Sequence, residues 1–421
     1  MPPLLRLLLA VWAVVGGTTV GRTATQEAYV WQRQFDEEVV EAVKALAPQL
    51  DGVCVLAAEV SWKPRPELVR PAVNYRALAA LGTPVGLALR INDYAGAFAQ
   101  DDATARMLVS LLRGMLTKAR EAGLAVAEVQ IDYDCAESKL AGYRQWLAAL
   151  RTETAAAKTK LVITALPAWL KHADFTPLAR GTDGFVLQVH SLERPKGPDA
   201  AFVLCDPEKA KAWAKQASAT GVLFRIALPT YGYLLGFDAA GKFLGLAAEG
   251  ARPTWPAGTQ QRVVRADAAA MARLARELRV EPPKHCTGVI WFRLPVARDR
   301  YNWHAKTFST VLRGEMPVKR IEAAVEWPER GLAEIVIENR GQTTEPLPAV
   351  LALKWSGDMR VLAADGIGGF RLEIRGGEAQ GNVRAANVTT DAVLAPGGKV
   401  RIAWLRFPDE ISLEVSLPAA P

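Results

Sequence analysis

The sequence predicts an α/β protein: a (β/α)8 TIM barrel followed by a C-terminal all-β sandwich. Three observations predict it. Eight short apolar runs of strand character alternate with helical stretches between residues 25 and 314. From about Pro317 the helical periodicity stops, and short β-rich runs punctuated by Gly, Pro and Asn take over. A doubly wound open sheet is the competing arrangement, but no Gly-rich dinucleotide loop follows the first strand.

Taken in order, the first segment reads as a secretory leader. Arg6 supplies positive charge, Leu7 to Val15 an apolar core too short to span a bilayer, and Gly16-Gly17-Thr18-Thr19 a small-residue exit. The expected division is a signal peptide over 1–24, a barrel over 25–314 and a sandwich over 315–421. Export to the periplasm or the cell exterior follows as an expectation, with no stable membrane anchor once the leader is removed.

Strand one is expected at Tyr29–Gln32 and strand two at Gly52–Ala57, with a helix from Asp36 to Leu46 between them. Strand three falls at Pro84–Arg90. Asp101 to Ala122 follows as a long amphipathic helix, acidic at its start and stopped by Gly123. Ala127–Tyr133 makes strand four, then a helix over Ser138–Lys158. Strands five, six and seven fall at Leu161–Leu166, Gly184–Val189 and Val222–Leu228. Asp206-Pro207 starts a helix before strand seven, a capping side chain followed by proline at the first helical position. A helix over Arg265–Arg279 leads to strand eight at Thr287–Arg293. The β-rich runs beyond are Ala333–Glu338, Val350–Lys354, Phe370–Ile374, Val400–Arg406 and Ile411–Val415. Their sandwich is read as a structural cap, with glycan or partner binding as the alternative.

Composition excludes several classes. Lys and Arg exceed Asp and Glu by 51 to 44, but no basic run concentrates the excess, so no nucleic-acid partner is expected. Four histidines without a CxxC or HExxH motif give no metal site, and no cofactor is implied. Cys54, Cys135, Cys205 and Cys286 are read as buried thiols. If export led to a disulfide, Cys135 with Cys205 is the pairing expected to lie at one end of the strands. The oligomeric state is not readable.

The chemistry concentrates at Gln130-Ile131-Asp132-Tyr133-Asp134. Side chains alternate faces along a strand, so Gln130, Asp132 and Asp134 point the same way. Two carboxylates on one face at a strand end raise each other's pKa, an arrangement tolerated chiefly where acid–base work or cation binding uses it. The competing reading is a structural ion network in which Arg90, Arg225 and Arg293 neutralise the acids. Barrel sites lie at the C-terminal ends of the strands. Those ends offer Trp31, Arg90, Asp132, Asp134, Glu137, Gln188, His190, Tyr231, Tyr233, Trp291 and Arg293. Aromatics to stack against ring faces, with carboxylates and hydrogen-bonding groups around them, suit a carbohydrate ligand.

In this order the motifs resemble those of the chitinase-type, family eighteen glycoside hydrolases, and more closely an uncharacterised bacterial exported family grouped with such barrels. Ile131-Asp132-Tyr133-Asp134 is similar to their strand-four Asp-x-Asp-x-Glu signature. Phe185 to His190 matches the strand-six hydrogen-bonding segment. Leu228-Pro229-Thr230-Tyr231-Gly232-Tyr233 resembles the strand-seven Pro-x-Tyr-Gly turn, followed by an insert over Leu234 to Glu249. Gly288-Val289-Ile290-Trp291 resembles the strand-eight segment whose Trp floors the sugar site. The resemblance spans roughly residues 28–310. It implies a glycosidase-like protein acting on or binding a cell-envelope or extracellular polysaccharide. It also implies retention through the substrate's own acetamido group.

The departures are specific. The general acid is expected two residues after Asp134, where Ala136 stands; Glu137 is one residue further, on the opposite face unless a bulge or turn redirects it. His190 stands where a Tyr would assist the acetamido oxygen. Glu137 is therefore assigned as acid, or Asp134 if Glu137 points away. Asp132 orients its neighbour, His190, Gln188 and Tyr231 hold the sugar, and Trp291 stacks beneath it. The alternative is a non-catalytic glycan-binding or envelope scaffold protein that has lost the acid. An esterase or deacetylase has less support, since no Gly-x-Ser-x-Gly elbow occurs.

Overall fold

A computed structural model describes residues 24–62, 67–250, 253–356, 360–374, 380–386 and 392–417. The leader expected over 1–24 lies, apart from Ala24, outside the described residues. No helix among the described residues is long and apolar enough to cross a membrane.

Eight parallel strands close a barrel: β1 (Thr25–Val30), β2 (Gly52–Ser61), β3 (Val85–Ile91), β4 (Val126–Tyr133), β5 (Lys160–Ala165), β6 (Gly184–Gln188), β7 (Phe224–Pro229) and β8 (Cys286–Phe292). β1 pairs in parallel with both β2 and β8, which removes the sheet's edges. Gly288 makes that closure possible. A Cβ there would lie 2.2 Å from the Thr25 carbonyl oxygen, so only glycine admits β1 so close.

Helices start where acidic caps stand. Asp36, Asp102, Asp206 and Asp267 each accept a backbone N–H in the first turn of the helices Glu37–Leu46, Ala103–Glu121, Pro207–Ser218 and Ala268–Val280. The expected helix at Arg265–Arg279 is thus three residues late in starting. Arg265 instead ends a strand, Gln260–Arg265. It joins Gly232–Phe237 and Phe243–Ala247 in a three-stranded antiparallel insert after β7.

Barrel strands present alternate side chains to the axis, and these fill it in layers. The lowest layer holds Glu27, Glu128 and Arg225, with Arg225 bonded to Glu27 and, at 2.6 Å, to Glu128. Above it lie Tyr29, Cys54, Ala88, Gln130, Val162, Val186, Ala227 and Ile290, all buried. Tyr29 donates to Gln130 Oε1 at 2.5 Å, and Gln130 donates to Glu128 at 2.6 Å, so the two layers are hydrogen-bonded together.

After the helix Ala305–Leu312 the chain becomes all-β from Ile321. One four-stranded antiparallel sheet joins Ile321–Glu329, Leu332–Asn339, Lys399–Arg406 and Ala363–Gly366. A second joins Phe370–Ile374, Gln380–Ala385, Val350–Trp355 and Leu413–Ser416. Their inner faces share a core of Ile335, Ile337, Leu351, Leu353, Val383, Ile402 and Leu405, the packing of a β-sandwich. Cys54, Cys135, Cys205 and Cys286 carry free thiols, and Cys135 is not joined to Cys205.

Candidate active site

At the C-terminal ends of the strands the barrel opens into a cavity of about 460 Å³. Nine of the residues singled out from the sequence line it: Trp31, Arg90, Asp132, Asp134, Gln188, His190, Tyr231, Tyr233 and Arg293. Two do not, Glu137 and Trp291.

Asp132 is the last inward-facing residue within β4 and is 3% exposed. It is bonded to Arg90 and accepts from Thr164 Oγ1 at 2.8 Å. Arg90 also lies 3.7 Å from Asp134 and donates through Nε to Asn92 at 3.2 Å. Asn92 in turn donates to Glu59 at 2.8 Å, and Arg33 clamps Glu59 through two bonds of 2.8 Å. This chain of hydrogen bonds, with Glu59 and Asp132 buried and the groups between them partly exposed, holds Arg90 and through it Asp132.

Asp134 continues the inward set of Gln130 and Asp132 one step past the strand end. Its segment is pinned by the Trp169 Nε1 donation to the Cys135 carbonyl at 3.0 Å. The cavity mouth strips part of the water from its carboxyl, whose side chain remains 35% exposed, and Asp132 repels the charged form; Arg90 opposes but does not offset them. The Asp134 pKa is pushed up to about 6. This carboxyl can hold and release a proton near neutrality.

Glu137 opens the short 3-10 turn Glu137–Lys139 and is exposed to solvent, away from the cavity. No bulge redirects it, because β4 ends at Tyr133 and the chain turns directly towards the helix Leu140–Ala156. Trp291 also turns away. It is fully buried between barrel and helix layer, 5.7 Å from Trp303 and 6.1 Å from Phe308 between ring centroids. Gly288, Ile290 and Phe292 are the inward residues of β8, so Phe292 floors the cavity instead. Trp291→Ala should lower stability by about 3–5 kcal/mol, and Trp291→Phe by much less. Denaturant unfolding checks this; a small loss of stability accompanied by lost glycan binding would restore Trp291 to the site.

Phe292 belongs to an aromatic triangle with Tyr29 (5.7 Å) and Trp31 (5.4 Å), the latter two 5.2 Å apart. His190 stacks on Phe292 with centroids 5.5 Å apart and planes at 27°. Its Nδ1 lies 3.0 Å from Tyr231 Oη, and Tyr233 donates to Tyr231 at 3.3 Å. Gln188 lines the wall. Of the expected neutralising arginines only Arg90 meets the acids. Arg293 pairs with Asp299 at 2.7 Å, and Arg225 stands at the start of β7, at the other end of the barrel. Sequence reasoning missed Tyr29, Thr164, Ser191, Glu249 and Phe292, which also line the cavity. Glu249 accepts the backbone N–H groups of Arg300, Tyr301 and Asn302 at 2.8, 2.6 and 3.0 Å, tying the insert to the loop after β8. Among the described residues no group of three His, Cys, Asp or Glu side chains could hold a metal ion.

The profile of the family described as Domain of unknown function (DUF3142) matches residues 82–297, more than half of the chain. The chain belongs to this family. The matched span of this DUF3142 protein runs from just before β3 to just beyond β8, so it includes every lining residue named here except Tyr29 and Trp31. No curated protein matches the sequence. Among solved structures it is similar to the spore cortex-lytic enzyme SleL of Bacillus cereus, with 13% identity, TM-score 0.47, and 70% of this chain and 75% of that chain covered. A chitinase from Chromobacterium violaceum gives 15% identity and TM-score 0.48, covering 69% of this chain and 98% of that one. The GH18 chitinase ChiB of Flavobacterium johnsoniae gives 12% identity and TM-score 0.47, covering 70% and 94%. At such identity the likeness says nothing of activity.

Proposed function

We propose that the cavity binds a bacterial cell-envelope or extracellular polysaccharide and cleaves a glycosidic bond in it, with Asp134 as general acid. The observation that carries this is Asp134 itself: an inward carboxyl at the cavity mouth, pushed up to about 6, beside a second carboxyl tied to Arg90 and Thr164. A protonated carboxyl there can protonate the leaving glycosidic oxygen. The triangle of Tyr29, Trp31 and Phe292 offers ring faces to a sugar, and Gln188, His190 and Tyr231 offer polar partners to its substituents.

The strand-four resemblance supports the same residue once its register is moved back by two. Gln130-x-Asp132-x-Asp134 then takes the three inward positions of Asp-x-Asp-x-Glu, with Asp134 in the acid's place and one methylene shorter. On that register Ala136 marks no lost acid. Retention through an acetamido group of the substrate needs no protein nucleophile, so Asp132 is left to orient. The reading includes export, supported by the Arg6 and Leu7–Val15 leader pattern. The second reading, a glycan-binding scaffold without catalysis, is favoured by one observation: Glu137 stands outside the cavity.

Incubation with chito-oligosaccharides, peptidoglycan fragments and exopolysaccharides, reading reducing ends and binding together, separates the two. Cleavage should show kcat/KM falling as pH rises through about 6, because Asp134 then loses the proton it donates. Glu137→Gln should leave the profile unchanged. Binding without reducing ends on every glycan would establish the scaffold instead.

A further inference from the structure

Among the described residues that line the cavity, one buried side-chain polar atom is left without a partner. His190 is 4% exposed, and its Nε2 is buried with no hydrogen-bond partner. The ring is not loose: it stacks on Phe292 and its Nδ1 is engaged by Tyr231. A buried polar group without a partner is costly, so a native structure that keeps one at a cavity wall calls for an explanation.

We infer that a hydroxyl relay from Ser191 through Tyr233 and Tyr231 fixes His190 as an Nε2–H donor, and that this donor reads an acceptor-only oxygen on the bound sugar. The direction of the relay follows from proton counting. Each hydroxyl has one proton to give. The Tyr233 hydroxyl donates to Tyr231 Oη. Tyr231, with the hydroxyls of Tyr233 and Ser191 both donating towards its oxygen, gives its own proton to His190 Nδ1, 3.0 Å away. Tyr233, having spent its proton, accepts from Ser191 Oγ at 3.0 Å. A neutral imidazole that accepts at Nδ1 carries its proton on Nε2. Burial independently keeps the ring neutral, lowering its pKa to about 3.

The backbone supports the relay. Ser191 holds φ at 58°, a left-handed conformation uncommon for a residue with a side chain, while its Oγ meets Tyr233 and its N–H bonds the Leu204 carbonyl at 2.8 Å. Tyr231 and Tyr233 come from the turn into the insert after β7, so two loops must agree on the geometry.

A fixed donor is best matched by an oxygen that brings no proton of its own. The carbonyl of an N- or O-acyl group and the carboxylate of an acidic sugar share that chemistry; a ring hydroxyl or a free amine does not. This inference deepens the glycan reading and rests on it for the ligand, but the tautomer stands apart from it.

Nitrogen-15 NMR of the histidine rings in the whole protein tests the relay, with His190→Gln used for assignment. The expected spectrum shows His190 as the Nε2–H tautomer, and Tyr231→Phe should convert it to a mixture. An Nδ1–H tautomer in the unaltered protein would overturn the relay. Binding is then measured with N-acetylated chito-oligosaccharide, its deacetylated form and an oligouronate. His190→Phe should weaken roughly tenfold the ligands that carry an acceptor-only oxygen, and His190→Gln, which restores a donor, should recover part of it. Equal binding of acetylated and deacetylated forms, unchanged by His190→Phe, would overturn the acceptor assignment. No binding of any glycan beside an Nε2–H tautomer would sink the carbohydrate reading and leave the relay standing.

Discussion

Asp134→Asn is expected to lower turnover of a cleaved glycan by about 10²–10⁴, the usual worth of a positioned general acid. The amide keeps the shape of the carboxyl and can still hydrogen-bond, so binding should change little; the loss belongs in kcat. The chemistry offers an internal control. A glycoside with a good phenolate leaving group needs little protonation, so Asp134→Asn should slow it far less than the natural linkage. Equal losses on both would mean that Asp134 shapes the cavity without donating a proton. Asp134→Glu lengthens the side chain by the methylene that separates this chain from the resembling signature, and should retain part of the rate.

A second large effect, on stability, is expected at the opposite end of the barrel. Arg225 is 10% exposed and sits between Glu27 and Glu128, which are 16% and 14% exposed. Burial disfavours its charge, yet Glu128 and Glu27 hold its pKa above the ordinary arginine range. Burial also raises the Glu27 pKa, with Arg225 opposing. Arg225→Met should cost about 3–5 kcal/mol at neutral pH, because it leaves two carboxyls buried without their cation. The sign of the pH dependence follows. Without Arg225 the folded pKa of Glu27 rises further above its unfolded value, so the native state holds its proton more strongly than the unfolded state. The deficit should therefore grow as pH rises and shrink towards pH 4. Urea unfolding of Arg225→Met across that range checks it. Adding Glu27→Leu and Glu128→Leu should recover most of the loss, since a whole buried ionic triad can be exchanged for apolar packing at little cost. A pH-independent loss would point to simple cavity formation.

The barrel was legible because each of its strands is an apolar run bounded by turn residues, and closure needs only their number and order. The cavity was largely legible for the same reason. Strand ends face one mouth, so Arg90, Asp132, Asp134, Gln188, His190 and Tyr231 converge without further information. The errors come from parity and from edges. Alternation has period two, so choosing Trp291 over Phe292 turned the side chain into the helix layer. The inward series Gly288, Ile290, Phe292 carried the signal, and the glycine at the tight seam set its phase. Strand one runs Thr25–Val30 rather than the expected Tyr29–Gln32, and this earlier start makes Tyr29 a floor residue. Arg225 does not join the ion network expected around Asp132 and Asp134, because the observed β7 places it at the strand's start, where it meets Glu27 and Glu128. Gln260–Arg265 pairs directly with Gly232–Phe237, skipping the strand Phe243–Ala247 that lies between them in the chain, a non-local partner that its polar sequence does not announce.

Nothing in composition or spacing marks the relay of Ser191, Tyr233, Tyr231 and His190, because it joins two loops through side chains and a left-handed serine. Glu137 illustrates the converse. Sequence proximity to the acids suggested a role, but β4 ends before it and the chain has already turned outwards.

The most direct measurement is a side-by-side assay of reducing-end release by the unaltered protein, Asp134→Asn and Glu137→Gln on the same panel of glycans. Cleavage that persists in Glu137→Gln and falls by about 10²–10⁴ in Asp134→Asn is the predicted result. Cleavage unaffected by Asp134→Asn, or abolished by Glu137→Gln alone, would contradict the assignment of the acid. Binding without cleavage of any member would contradict the hydrolase reading altogether.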